Sequence, residues 1–252
     1  MSRDPASALG FVALVALVPL ALQACEGEPE EEVVQGTAID HGRALFHDPS
    51  IAQTSFNSYT CATCHDDGPG GTVLLPGAPM AEVLGRPSYW GGYERDLLRS
   101  INDCLYYFML RDRPLAKDDV EARALYAYLE SLSPGGVDAA TDAEPFTVPV
   151  SIGAVPAGDA GRGADVYAQA CASCHGGAHS GTGRLVERAP TLPEQTLEEH
   201  PLGEYTEEER RLVFVEKVRH GAFLGYSGQM PPFSMEKLSD EQLGDLLTYL
   251  LP

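Results

Sequence analysis

The stretch that decides the fold is Cys171-Ala172-Ser173-Cys174-His175, and the chain carries the same pattern earlier as Cys61-Ala62-Thr63-Cys64-His65. Two thiols three positions apart, followed at once by an imidazole, form the attachment pattern of c-type haem. The thiols add to the two porphyrin vinyl groups and the histidine turns in to ligate the iron. Four of the six cysteines belong to the two copies. Paired Cys-x-x-Cys also binds zinc, but here the pairs lie far apart, each is followed by His, and neither sits in a ribbon pattern. The expected cofactors are two haem c groups, bound through Cys61, Cys64, Cys171 and Cys174, with His65 and His175 as axial imidazoles.

Working outward, 252 residues are too many for one minimal haem domain and suit two small ones, at roughly 100 to 200 residues per domain. Small domains bury little surface, so each half is expected to pack loosely around a void that the porphyrin fills. Residues 1–24 read as a signal peptide, with Arg3 ahead of an apolar run from Leu9 to Leu22. The run ends in Leu22-Gln23-Ala24-Cys25, which resembles a bacterial lipoprotein box and makes Cys25 the expected lipidation site. No second apolar segment reaches the roughly 20 residues that span a bilayer, so a lipid is the only membrane anchor expected. Residues 25–37, with Glu26, Glu28, Glu30, Glu31 and Glu32, read as a disordered acidic tether.

The composition is acidic, with 37 Asp and Glu against 17 Lys and Arg and a formal charge of -20. Such a surface argues against nucleic acid and anionic lipid as partners and favours redox proteins with basic docking faces. Plain solubility accounts for the charge equally well.

The chain repeats itself. A short opening helix with Ile39, Gly42, Leu45 and Phe46 matches Gly163-Ala164-Asp165-Val166-Tyr167. Phe46 lies fifteen residues before Cys61, and Tyr167 four before Cys171, so the first copy carries an eleven-residue insertion over about 48–59. Met109 to Tyr128 and Met230 to Tyr249 are both nineteen residues and align without a gap. Asp118 then falls on Ser239 as an expected helix N-cap, with Glu121 on Gln242 three residues later. Ala122, Leu125, Tyr126 and Leu129 fall on Leu243, Leu246, Leu247 and Leu250, one apolar stripe at helical spacing. A helix is also expected from Tyr93 to Met109, and another from Thr206 to His220. The Pro-rich segment 134–157 separates the halves as a linker.

Gly228-Gln229-Met230-Pro231-Pro232-Phe233, together with the motif at Cys171, resembles the methionine loop of the bacterial cytochrome c family over nearly all of Gly161 to Leu251. The resemblance implies an all-α fold of two tandem cytochrome c domains, at 38–133 and 158–252, each a few short helices around its haem. It also implies Met230 as sixth ligand of haem 2. In the first domain two candidates stand open. Met109 holds the position aligned with Met230, and Cys104 lies five residues earlier in Ile101-Asn102-Asp103-Cys104. Trp90 to Leu132 resembles the sulfur-oxidising di-haem cytochromes of the thiosulfate dehydrogenase group, in which such a cysteine is the sixth ligand. The family's Arg-Ser pair is replaced here by Tyr106-Tyr107-Phe108. Met80 is an outside candidate.

A thiolate ligand on haem 1 would lower its potential relative to a thioether on haem 2. The expected role is an electron carrier, in preference to an enzyme, on the periplasmic side of the cell envelope. The alternative is oxidation of a small sulfur anion at haem 1. Arg95, Arg99, Arg111, Arg113 and Lys117 form a basic cluster there, which either draws such an anion or lies on the outer surface.

Overall fold

The computed structural model describes residues 30–68, 73–133, 142–221 and 228–251. The expected signal peptide, the expected lipidation site Cys25, residues 134–141 of the expected linker and residues 222–227 before Met230 lie outside the described residues. The described elements are helices α1 (Glu30–His47), α2 (Cys61–Cys64), α3 (Leu97–Tyr107), α4 (Val120–Ser131), α5 (Ala160–Ala170), α6 (Ala172–His175), α7 (Glu194–Glu199), α8 (Glu207–His220) and α9 (Asp240–Leu250), with short 3-10 turns between them. The fold is all-α. Its one extended pairing among the described residues is an isolated bridge between Tyr89 and Glu94.

Each half is framed by its first and last helices, α1 on α4 and α5 on α9. Both pairs cross at a glycine. A Cβ on Gly42 would meet the Ala124 carbonyl and come within 2.7 Å of Tyr128 Cβ; one on Gly163 would meet the Asp245 carbonyl and come within 2.7 Å of Tyr249 Cβ. Gly42 and Gly163 stand in the same register as Met109 and Met230, so the repeat seen in sequence is a repeated helix crossing. Around it lie two apolar clusters. Phe46, Ile51, Leu105, Leu125 and Leu129 centre the first, and Val166, Tyr167, Phe214, Leu243, Leu246 and Leu250 the second.

Three local expectations are corrected. The tether is helical from Glu30, because α1 runs back through the acidic segment. The helix expected from Tyr93 starts at Leu97, where the Asp96 side chain accepts from the Arg99 amide. The two final helices also begin differently. Ser239 and Gln242 form a reciprocal capping box on α9. On α4 the N-cap is Asp119 rather than Asp118, with no side-chain cap, because its carboxylate accepts from the Ala116 amide at 2.8 Å.

The insertion before Cys61 is pinned from several sides. Its 3-10 turn, Pro49–Ala52, offers the Ile51 carbonyl to the buried guanidinium of Arg111. The Asn57 side chain donates to the carbonyls of Pro49 and Tyr59 and accepts from the Tyr59 amide. The described part of the linker is also tied down. The Thr147 amide donates to Glu236 at 2.9 Å, the Met235 amide donates to the Thr147 carbonyl at 3.0 Å, and Phe146 meets Trp90 edge-on with ring centroids 5.5 Å apart.

Candidate functional site

Both motifs open into apolar cavities, as expected of halves built around a missing core. The first holds about 1320 Å³ of atom-free space, partly open to solvent. Cys61, Cys64 and His65 line it, with Phe46, Trp90, Leu97, Leu105, Leu125 and Leu129 among its walls. The second holds about 1680 Å³, lined by Cys171, Cys174 and His175 with Phe214, Val218, Leu246 and Leu250.

The local structure orients each histidine. In α2, Thr60 and Thr63 make a capping box that starts the helix at Cys61. The chain then leaves the helix at His65, whose Nδ1 lies 2.8 Å from the Ala78 carbonyl. An imidazole facing a carbonyl must donate, so Nδ1 carries the proton and Nε2 keeps its lone pair. Gly77 is needed beside it, because a Cβ there would run into the His65 ring and come within 2.6 Å of the Cys64 carbonyl. His175 repeats the arrangement with Nδ1 at 2.9 Å from the Pro190 carbonyl. Burial lowers the pKa of both imidazoles, which favours the neutral, ligating form.

The thiols lie in dry surroundings. Burial pushes Cys61, Cys64 and Cys171 up to about 12, so the sites suit neutral thioethers better than thiolates. Two thiols, one neutral imidazole with a free Nε2 and an apolar slot are the donor set that a covalent haem requires, and the residues fit it at both places.

Three further sulfur atoms reach the first cavity: Met80, Cys104 and Met109 all line it. Cys104 faces the cavity from α3. Burial raises its thiol, and its neighbours Cys64 and Cys61 raise it further. Met109 is 3% exposed and follows α3 almost directly, with Leu110 behind it in a left-handed conformation. In the second cavity Met230 lines the wall. Its carbonyl lies against Gly221, where positive φ and lack of a Cβ let the methionine loop pass over the end of α8.

The cavities adjoin, which the sequence did not reveal. Tyr59, Cys64, Pro76 and Pro231 line both. Tyr59 is pushed up to about 12, first by burial and then by the thiols of Cys174 and Cys64, so the second cysteines of the two motifs face a common neighbour. Cys174 also packs against the first apolar cluster.

Of the two readings of the basic cluster, the one that draws an anion to the haem is not met, because none of Arg95, Arg99, Arg111, Arg113 and Lys117 lines the first cavity. Arg99 is exposed and pairs with Glu94, Arg113 pairs with Asp119, and Arg111 is buried on backbone carbonyls. The cations that do line the cavity are Arg86 and Lys237. Arg86 sits in the turn-rich run Gly85-Arg86-Pro87-Ser88, whereas Lys237 arrives from the other half and carries no local signal.

Fold and sites together define a protein that moves electrons through covalently attached haem. Residues 158–250 match the family described as "Cytochrome C oxidase, cbb3-type, subunit III". Cytochrome c6 of Thermosynechococcus vestitus is 34% identical over 95 residues, covering 38% of this chain and 70% of the relative. Cytochrome c6 of Synechococcus elongatus is 33% identical over 93 residues, covering 37% and 88%. The chain belongs to the cytochrome c family. Among solved structures it is similar to a thiosulfate dehydrogenase (TsdBA) from Marichromatium purpuratum, with a TM-score of 0.44 and 22% identity over 94% of this chain; it spans 49% of that protein's length. No helix among the described residues is long and apolar enough to cross a membrane.

Proposed function

We propose that this cytochrome carries electrons through two haem c groups, one in each cavity, on the periplasmic side of a membrane to which Cys25 anchors it by lipid after loss of the signal peptide. The single observation that supports this most is the pair of adjoining cavities, each with a Cys-x-x-Cys-His motif whose histidine is turned by a backbone carbonyl to leave Nε2 free. Each haem, when bound, supplies an iron that changes charge by one electron.

The chain's own residues do the rest. His65 and His175 are held in the ligating tautomer, Cys61, Cys64, Cys171 and Cys174 tether the rings, and the apolar walls keep water from the iron. Met230 is the proposed sixth ligand of haem 2, and one of Cys104 or Met109 that of haem 1. A thioether on haem 2 favours ferrous iron, and a thiolate on haem 1 would favour ferric, so electrons would run from haem 1 to haem 2. The two cavities share Tyr59, and electron transfer between groups held in them would need no acid, base or nucleophile. The strongly acidic composition fits partners with basic docking faces.

A second reading rests on Arg86 and Lys237, which line the first cavity together with Cys104. Two cations beside a haem edge can hold a small sulfur anion for oxidation there.

The test is haem stoichiometry in the secreted holo-protein. The wild type should bind two haem c per chain and the Cys61→Ser/Cys64→Ser variant one; one in the wild type would overturn the proposal. Thiosulfate added to the ferric protein reads the second alternative, which fails if neither haem is reduced.

A further inference from the structure

One amide joins the two sites. Gln229, next to Met230, is 6% exposed, and its Nε2 donates at 2.6 Å to the carbonyl of Phe108, which immediately precedes Met109. Its Oε1 accepts from the Arg188 guanidinium, and the same terminal nitrogen of Arg188 also donates to the Phe56 carbonyl in the insertion before Cys61. The Phe108 amide donates at 3.1 Å to the Cys104 carbonyl, so both candidate ligands of haem 1 lie within one helical turn of the contact. Arg188 in turn stands two residues before Pro190, whose carbonyl orients His175.

A polar group this buried is retained at a cost unless its hydrogen bonds are made, and here both ends of the amide are used. Every partner is a segment that carries a haem ligand or its orienting carbonyl. Groups behind a ligand fix its position and thereby tune the metal, and coupling between sites travels through such contiguous contacts. The residues shared by the two cavity walls are Tyr59, Cys64, Pro76 and Pro231.

We infer that Gln229, braced by Arg188, is a positioning residue that locks the methionine loop of haem 2 to the end of α3 and so couples the ligand geometry of one haem to that of the other. This rests on the proposal that Met230 ligates haem 2. Without the lock, Met230 would lose its held position in the wall of the second cavity and α3 would relax at its C-cap, Phe108.

The test compares holo Gln229→Leu, which keeps the bulk and removes both hydrogen bonds, with Gln229→Glu, which keeps the acceptor for Arg188 but cannot donate to Phe108. Readouts are the thioether-to-iron charge-transfer band of ferric haem 2 and the separate reduction potentials of the two haems. Q229L should weaken the band, lower the potential of haem 2 and also shift that of haem 1. Q229E should do the same with a smaller effect on the band, because the loop stays tied to Arg188. If Q229L leaves the band and both potentials at wild-type values, or shifts only haem 2, the coupling role is overturned. Met230→Ala separates the two ideas. If that variant retains the band at full wild-type intensity, the ligand assignment fails and this inference with it; if it loses intensity that Q229L retains, only this inference fails.

Discussion

The two halves share a frame and differ in where they place their extra residues. α1 crosses α4 at Gly42 as α5 crosses α9 at Gly163. Each motif also precedes its next long helix, α3 or α8, by the same interval. The first half inserts residues before its motif, and they fold back as Pro49 to Tyr59 to form part of the wall between the cavities. The second half has its extra residues between the start of α8 and Met230, and the Met230 carbonyl lies against Gly221. The second cavity is therefore met by a methionine from a loop, whereas the first is met by Cys104 from α3 and by Met109 directly beyond it, with Met80 also in its wall. That difference explains physically why Met230 stands out in the sequence and why Cys104 and Met109 compete.

The frame breaks most severely at its crossings. Alanine for glycine inside a helix ordinarily gains about 1 kcal/mol. At Gly42 and Gly163 the added carbon meets backbone, so each Gly→Ala variant should instead lose about 1–3 kcal/mol by overpacking. Denaturant unfolding of the holo-protein measures this, and a stabilised G42A alone would show that the halves do not share the crossing.

A smaller effect distinguishes the last helices. Ser239→Ala removes a working cap from α9 and should cost about 1 kcal/mol. Asp118→Ala should cost nothing measurable in the same assay, because Asp118 is exposed and caps nothing on α4. Equal losses would restore the symmetric capping that the sequence alignment suggested.

The smallest effect concerns acid. Burial opposes ionisation of Glu236, but hydrogen bonds from Thr147 and Ser234 outweigh it and hold the carboxyl at about 2, against an ordinary value of 4.5. A depressed carboxyl contributes stability above its unfolded value, and that contribution disappears as pH falls from 4.5 toward 2. Glu236→Gln should flatten the acid limb of the stability curve in that window without changing stability much at pH values where the wild-type contact is already lost. An unchanged acid limb would mean that the tie between residue 147 and the second half contributes nothing. The linker meets the first half differently, through Glu144 at 3.9 Å from Arg86 and Phe146 against Trp90. That half has no counterpart of the buried Asp245, which pairs with Arg162 at 2.7 Å, and carries Ala124 in its place.

The sequence by itself determined what depends on local spacing. Thiols at i and i+3 with the next-door imidazole mark the candidate haem sites, and an apolar stripe at helical spacing marks α4 and α9. The repeat is legible for the same reason, since a helix crossing needs its glycine and its stripe in fixed register. Tertiary structure decided everything that depends on two distant segments meeting. It brought Tyr59 and Pro231 into both cavities, set Arg86 and Lys237 in the wall of the first, and put the Gln229 amide on the Phe108 carbonyl. None of these has a periodic signature, because a single hydrogen bond across the interface between the halves constrains one residue on each side and leaves no pattern in either.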